Sequence, residues 1–364
     1  MNKKVYIIGN RGKEKVVTDG GRIKVRLYEN LLKKINVPVE IIELDGWKKN
    51  IFKVLNQIKN AVKEESTILI MAGPKGCRVI IPLVNKINKK GKSRVVFCAL
   101  GIGTLDKVAK KLSIEELNSF LGSENNFGIS DNKMAKNLKK LDLIIIENEV
   151  LVNKYRTFYK LDNVEMLTNF RDTQIIPKEQ FSKGSQLKIV FTSRVCENKG
   201  IFDLIEVVND INKENCDLFL DIYGALQLNV DENILFEKSL NKNVNYRGEI
   251  QQHELFEKIK EYDLFVLPTK YYGEGTSGSL IEALIAGVPA LVSSYSQAKT
   301  LINDNENGFI FKINDKESLK ERLLEILDNK ERLPIISRNA QITANKYVFE
   351  NNKEKFEKFI LGDC

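Results

Sequence analysis

The chain of 364 residues lacks several patterns that would settle a chemistry at once. It has no C-x-x-C pair, and its five cysteines (Cys77, Cys98, Cys196, Cys216, Cys364) are scattered and odd in number. That excludes a disulfide framework or a zinc site and reads as reduced thiols in a cytosolic protein. No D-x-D triplet occurs, so a bound divalent metal has no evident carboxylate pair, and no metal is expected. There is one histidine, His253, in Gln251-Gln-His-Glu-Leu at an expected helix start, where it reads as structural. No apolar run reaches the roughly 18 residues of a membrane-spanning helix. The start, Met1-Asn-Lys-Lys-Val-Tyr-Ile-Ile-Gly9, reads as a first buried strand rather than a signal peptide. Zinc-finger spacing, RNA-binding aromatics and basic-region heptads are all missing, so nucleic acid is not an expected partner.

What is present is 43% apolar content, enough for two domains with separate cores, and a lopsided charge. Residues 1–186 carry 35 Lys+Arg against 20 Asp+Glu, and residues 187–364 carry 22 against 29. An anionic partner of the first half, or lysine added for solubility, accounts for such a bias. Short apolar runs alternate with helical patterns. Strands are expected at 5–8, 39–44, 67–71, 94–100, 142–147 and 164–168, then at 187–192, 218–223, 244–246, 264–267 and 290–292. Ile51, Phe52, Leu55, Ile58 and Val62 mark an amphipathic helix, and Asp315 caps another. Residues 171–186 are polar with Pro and Gly and read as a linker. This alternation predicts an α/β fold of two doubly wound Rossmann-like domains. They are expected at 1–183 and 184–345, with a final helix at about 346–364 packing back on the first. Ligands of such sheets bind outside the carboxyl ends of the strands.

The chemistry concentrates in Tyr272-Gly-Glu-Gly-Thr-Ser-Gly-Ser-Leu-Ile-Glu282, between an apolar strand and an apolar helix closed by Gly287. Gly275, Thr276, Ser277, Gly278 and Ser279 lead into the helix, whose free N–H groups and positive dipole favour phosphate or sugar oxygens. Seven residues separate Glu274 from Glu282. A carboxylate on an apolar helix is costly to bury without a polar partner, and ligand hydroxyls would be one.

This unit resembles the E-x7-E element of retaining GT-B glycosyltransferases of family 4, the "group 1" class, of the kind that assembles bacterial polysaccharides. Phe191-Thr-Ser-Arg194-Val-Cys-Glu-Asn-Lys199-Gly200 is similar to that family's G-R-x-x-x-x-K-G element, with Ser193 in place of a glycine. Val244-Asn-Tyr-Arg-Gly248-Glu-Ile250 is similar to its nucleobase-facing strand. Gly20-Gly21-Arg22, before an expected helix at 23–32, is either its amino-terminal glycine loop or a plain turn. After Ser293-Ser294 the family's glycines are absent, and Tyr295 and Thr300 stand in that stretch instead.

The resemblance implies a GT-B fold whose two domains face each other across a cleft. It implies transfer of a hexose from a nucleotide sugar, UDP-linked by expectation, to a glycan or a polyprenyl-diphosphate-linked acceptor, without cofactor or metal. Arg194 and Lys199 would carry the diphosphate charge, Glu274 would orient the donor sugar, and Glu282 would hold ribose hydroxyls. Gly21, Gly248 and Ile250 would meet the donor. The acceptor half has no histidine base, which suits retention with the leaving diphosphate taking the acceptor proton. Lys75 and Arg78, in Gly73-Pro-Lys75-Gly-Cys-Arg78, are either a solvated turn or an acceptor-diphosphate contact. The expected location is the cytoplasm, with peripheral contact at an anionic inner membrane face in capsule or related surface-polysaccharide synthesis. A nucleotide-sugar epimerase of the same architecture would need acid–base groups in both halves. A non-catalytic GT-B-like subunit would do without the carboxylates and cations found here.

Overall fold

The structure, a computed structural model, describes residues 4–12, 20–214, 216–251, 253–270, 274–295 and 297–362. Tyr272, Gly273 and Cys364 therefore lie outside the described residues. The chain divides into two compact units, Met1–Asp172 with Phe349–Cys364, and Thr173–Val348.

Unit 1 holds a six-stranded parallel sheet: β1 (Val5–Gly9), β2 (Val39–Glu43), β3 (Thr67–Met71), β4 (Arg94–Cys98), β5 (Leu143–Ile146) and β6 (Val164–Met166), in the order β2-β1-β3-β4-β5-β6. The inner strands are buried end to end because helices cover both faces. Side-chain alternation splits them between two cores. Ile68 and Ile70 pack with the helices Ile51–Lys63 and Pro74–Ile87 on one face. Leu69 and Met71 pack with the helix Gly20–Lys34 on the other. The second core is completed from the far end of the chain: Phe356, in the helix Lys353–Leu361, meets Tyr28 edge to face at 5.0 Å and Phe170 at 5.9 Å.

Unit 2 repeats the design with β7 (Leu187–Thr192), β8 (Leu218–Tyr223), β9 (Val244–Gly248), β10 (Leu264–Leu267), β11 (Ala290–Ser293) and β12 (Phe309–Phe311), ordered β12-β11-β10-β7-β8-β9. Sequence patterning misses β12, which is three residues long and follows the polar turn Asn303–Gly308.

Three expectations need correction. The helix read as 23–32 begins at Gly20, so Gly20 and Gly21 form its first turn rather than a loop before it. Residues 171–186 are no free linker. Ile176 N donates to Ile285 O at 3.0 Å, Gln341 Nε2 donates to Ile176 O at 2.6 Å, and Ser182 N donates to Asp263 at 2.6 Å, which straps the segment to unit 2. In the helix Ile51–Lys63 the buried face is Val54, Ile58, Ala61 and Val62, and Ile51 and Phe52 point outward.

Candidate active site

The strand order of unit 2 reverses between β7 and β10, and a doubly wound sheet leaves its ligand crevice at such a point, outside the carboxyl ends of the strands. Two loops leave the sheet there, and glycines press them together. After β7 the chain makes a 3-10 turn, Glu197–Lys199, closed by Gly200 at φ 73°. A Cβ on Gly200 would lie 2.0 Å from the Pro268 carbonyl oxygen, so only glycine lets the turn meet the chain leaving β10. The contact is hydrogen-bonded. Lys270 N donates to Asn198 O at 2.9 Å, and Thr269 Oγ1 reaches the same oxygen at 3.3 Å. Ser293 Oγ, at the end of β11, donates to Thr269 O at 2.6 Å and ties in the third loop.

This framework holds Lys199 against Glu274. Lys199 Nζ donates to Glu274 Oε2, and Thr269 Oγ1 approaches that oxygen at 3.3 Å. Both partners are buried, at 6% and 9% exposure, although the segment is a loop. Such a pair persists away from water only with good geometry and further hydrogen bonds. An ammonium has three donors and a carboxylate about four lone-pair sites, so neither group is limited to a single partner.

Glu274 is followed by buried Gly275, Thr276 and Ser277 and half-buried Gly278 and Ser279. The helix Gly278–Ile285 starts here, and the Ser277 side chain does not cap it. Ser277 Oγ lies instead 3.2 Å from Ser279 Oγ. The first amides of the helix are thus left to other acceptors. Glu282 is buried at 5% exposure in the middle of this helix, among Leu280, Ile281, Ala283 and Leu284.

The remaining residues of unit 2 stand at the same sheet edge but do not all converge. Half-buried Arg194 donates from Nη1 to Gln227 Oε1 at 3.2 Å rather than joining Lys199 on Glu274. Gly248 ends β9 at φ 79°, and its carbonyl accepts from Gly224 N at 2.9 Å. Gly224 in turn abuts the Ser193 carbonyl, where a Cβ would come within 1.8 Å. Ile250, two residues on, is half-buried. Sequence reading missed three hydroxyls at this edge. Thr269 supports Glu274, while Thr192 Oγ1 and Tyr295 Oη are buried with no hydrogen-bond partner among the described residues. Burial pushes the Tyr295 phenol well above its usual pKa, and the Glu274 charge adds to the shift, so Tyr295 stands within electrostatic reach of the pair. Thr192 is the last residue of β7, and Thr269 and Tyr295 stand two residues past β10 and β11, so a place at a strand's carboxyl end is the signal that could have found them.

In unit 1 the order reverses between β1 and β3. Gly21 and Lys75 open the helices that follow those two strands. Lys75 is exposed, but Arg78 is committed within the unit. It pairs with Asp131, the cap of the helix Asn132–Leu138, and donates to Thr104 O at 2.9 Å. Of the two expected acceptor contacts, Arg78 is thus engaged within the unit and Lys75 is exposed. Sequence reading also missed a buried ion pair, Lys24 Nζ to Glu147 Oε1 at 2.6 Å, which joins the helix Gly20–Lys34 to the end of β5. Among the described residues no cluster of three or more His, Cys, Asp or Glu could hold a metal ion.

Residues 172–343 match the family model described as glycosyl transferases group 1. The chain is 25% identical over 206 residues to an uncharacterized glycosyltransferase, MJ1069, of Methanocaldococcus jannaschii, covering 56% of this chain and 51% of that protein. It is 24% identical over 288 residues to a Campylobacter jejuni protein, covering 76% of this chain and 77% of the relative. That relative is named GalNAc-alpha-(1->4)-GalNAc-alpha-(1->3)-diNAcBac-PP-undecaprenol alpha-1,4-N-acetyl-D-galactosaminyltransferase. With several other curated relatives the match spans about half of their length or less. The fold superposes on Anabaena Alr3699/HepE in complex with UDP-glucose with a TM-score of 0.71, at 13% identity and 98% coverage of each chain. The strand orders and these likenesses agree: the fold is GT-B, and it is the second unit, over residues 172–343, that matches the glycosyl transferases group 1.

Proposed function

We propose that this protein is a retaining, metal-independent glycosyltransferase that moves a hexose from UDP to a glycan or a lipid-diphosphate-linked acceptor in surface polysaccharide synthesis. The observation that carries the reading is the buried Lys199–Glu274 pair at the point where the unit 2 strand order reverses. A sugar–diphosphate bond that breaks heterolytically loads negative charge on the leaving oxygen. A fixed ammonium there stabilises the transition state more than the ground state. Lys199 fills that role, and Arg194 serves it by turning from Gln227 to the diphosphate. Glu274 accepts hydrogen bonds from donor-sugar hydroxyls, and Glu282 from the ribose. Loop amides from Gly275 to Ser279, together with Gly248 and Ile250, line the nucleotide. The acceptor hydroxyl oxygen bonds to the anomeric carbon as the bond to the diphosphate breaks, and its proton passes to the diphosphate oxygen on the same face.

Two likenesses support the donor and acceptor classes. The superposed Anabaena structure holds UDP-glucose, and the Campylobacter relative is named for an undecaprenol-diphosphate acceptor. Purified protein incubated with UDP-, GDP-, ADP- and TDP-hexoses should release free nucleotide from the UDP sugar, with the anomeric configuration of the donor kept in the product by proton NMR. An inverted product, or turnover unchanged in Glu274→Ala, overturns the reading.

A further inference from the structure

We propose that the start of the helix Ile51–Lys63 docks unit 1 onto an anionic lipid bilayer. Phe52 is 81% exposed, the most exposed of the large apolar side chains described, and Ile51 beside it is 37% exposed. Half-buried Trp47 lies one turn earlier, in the 3-10 turn Trp47–Asn50. An aromatic that stands clear of the surface loses nothing of the core if it is removed, so core packing does not explain Phe52. The charge along this turn and helix is of one sign. Residues 46–63 contain five lysines and no Asp or Glu. Lys49 and Lys53 flank the tip, and Phe52, Asn56, Lys59 and Lys63 share the outer stripe of the helix at intervals of about 3.6 residues. All of these are exposed.

An apolar tip ringed by lysines is complementary to a surface with an apolar interior and anionic headgroups. A second copy of the chain fits poorly, because a two-fold contact through this patch would set lysines against lysines. The placement adds meaning. The helix follows β2, so its start lies at the carboxyl edge of the unit 1 sheet, the edge from which Lys75 leaves β3. A bilayer on this patch presents headgroups at the ligand-binding edge. The contact stands on this surface alone, and its use in delivering a lipid-linked acceptor rests on the function proposed above.

Co-sedimentation of the full chain with vesicles tests it. Vesicles of phosphatidylglycerol and phosphatidylcholine in equal parts should bind the protein, vesicles of phosphatidylcholine alone should not, and added salt should weaken binding. Phe52→Ser should weaken it about tenfold, and Lys49→Glu with Lys53→Glu at least about 25-fold. Both sites are exposed, so folding should be kept, and donor hydrolysis without lipid should be unchanged. Absence of anion-selective binding overturns the proposal, as does binding indifferent to both variants. A dimer that Phe52→Ser converts to a monomer, without vesicle binding, assigns the patch to a second copy and equally overturns it. The stabilisation of unit 2 by UDP sugars, measured without vesicles, reports on the proposed function independently.

Discussion

Unit 1 orders its strands β2-β1-β3-β4-β5-β6 and unit 2 orders its own β12-β11-β10-β7-β8-β9, so the two sheets reverse direction at different places. In unit 2 the reversal falls between strands whose following loops carry Lys199 and Glu274, and the charges meet there, at the ligand edge. In unit 1 the reversal falls between β1 and β3, yet the charges pair elsewhere: buried Lys24 with Glu147, after β5, and half-buried Arg78 with Asp131. The same kind of sheet thus gathers charge at its reversal point in one unit and away from it in the other. The first half of the chain nonetheless keeps an excess of basic over acidic residues.

The largest effect expected from this contrast is on turnover. Lys199→Ala removes the buried ammonium that meets Glu274 at the reversal point and should lower kcat of donor hydrolysis roughly 10²–10³-fold, read on protein whose near-UV circular dichroism is unchanged. Lys75→Glu, at the matching place in unit 1, should leave donor hydrolysis alone and raise the acceptor KM about tenfold, as one lost charge contact would. Equal losses of donor hydrolysis from both variants would break the comparison.

Next comes stability. Lys24→Met strands a buried Glu147 carboxylate and should cost about 3–5 kcal/mol in urea unfolding. Adding Glu147→Leu should recover most of it. Turnover per folded molecule should stay near wild type if the pair is a brace. Gly200→Ala should fall between the classes. It forces a Cβ into Pro268 and a side chain into φ 73°, with a cost of about 1–3 kcal/mol, and it should also lower kcat because Lys199 is the preceding residue.

How far these differences can be read from sequence depends on how local each one is. Glu274, Lys199 and Gly200 stand in short segments whose glycines, strand ends and helix start announce them, and eleven of the twelve strands among the described residues show as apolar runs. The Lys24–Glu147 pair spans 123 positions and carries no local signal. Arg78 reads as a cation free to bind a ligand until folding brings Asp131 beside it. Phe52 misleads differently. It fits the apolar spacing of its helix, but Val54 takes the buried place, and an apolar residue on the wet side is indistinguishable by periodicity from one on the dry side when two neighbours compete for the seam.

The smallest expected effect separates the units by pH. Each unit holds a lysine whose pKa burial lowers to about 8: Lys154 in unit 1 and Lys178 in unit 2. Lys178 Nζ donates to Lys260 O at 2.7 Å and to Gln180 O at 2.8 Å, on the strap of residues that precedes β7. Below about pH 8 both folded and unfolded chains hold this proton, and the folded state bears the full cost of the buried charge. Between about 8 and the ordinary value of 10.5 the folded chain has released the proton and the unfolded chain has not, so this lysine makes stability rise with pH. Lys178→Gln should therefore flatten the gain in urea midpoint of unit 2 between pH 7.5 and 9.5 by about half a unit of urea molarity or less, with unit 1 unaffected. Lys154→Gln should do the same to unit 1 while also freeing the loop that its ammonium holds through Ser123 O and Asn125 O. If either variant shifts both transitions together, the two units unfold as one cooperative body and the contrast drawn between them applies to chemistry alone.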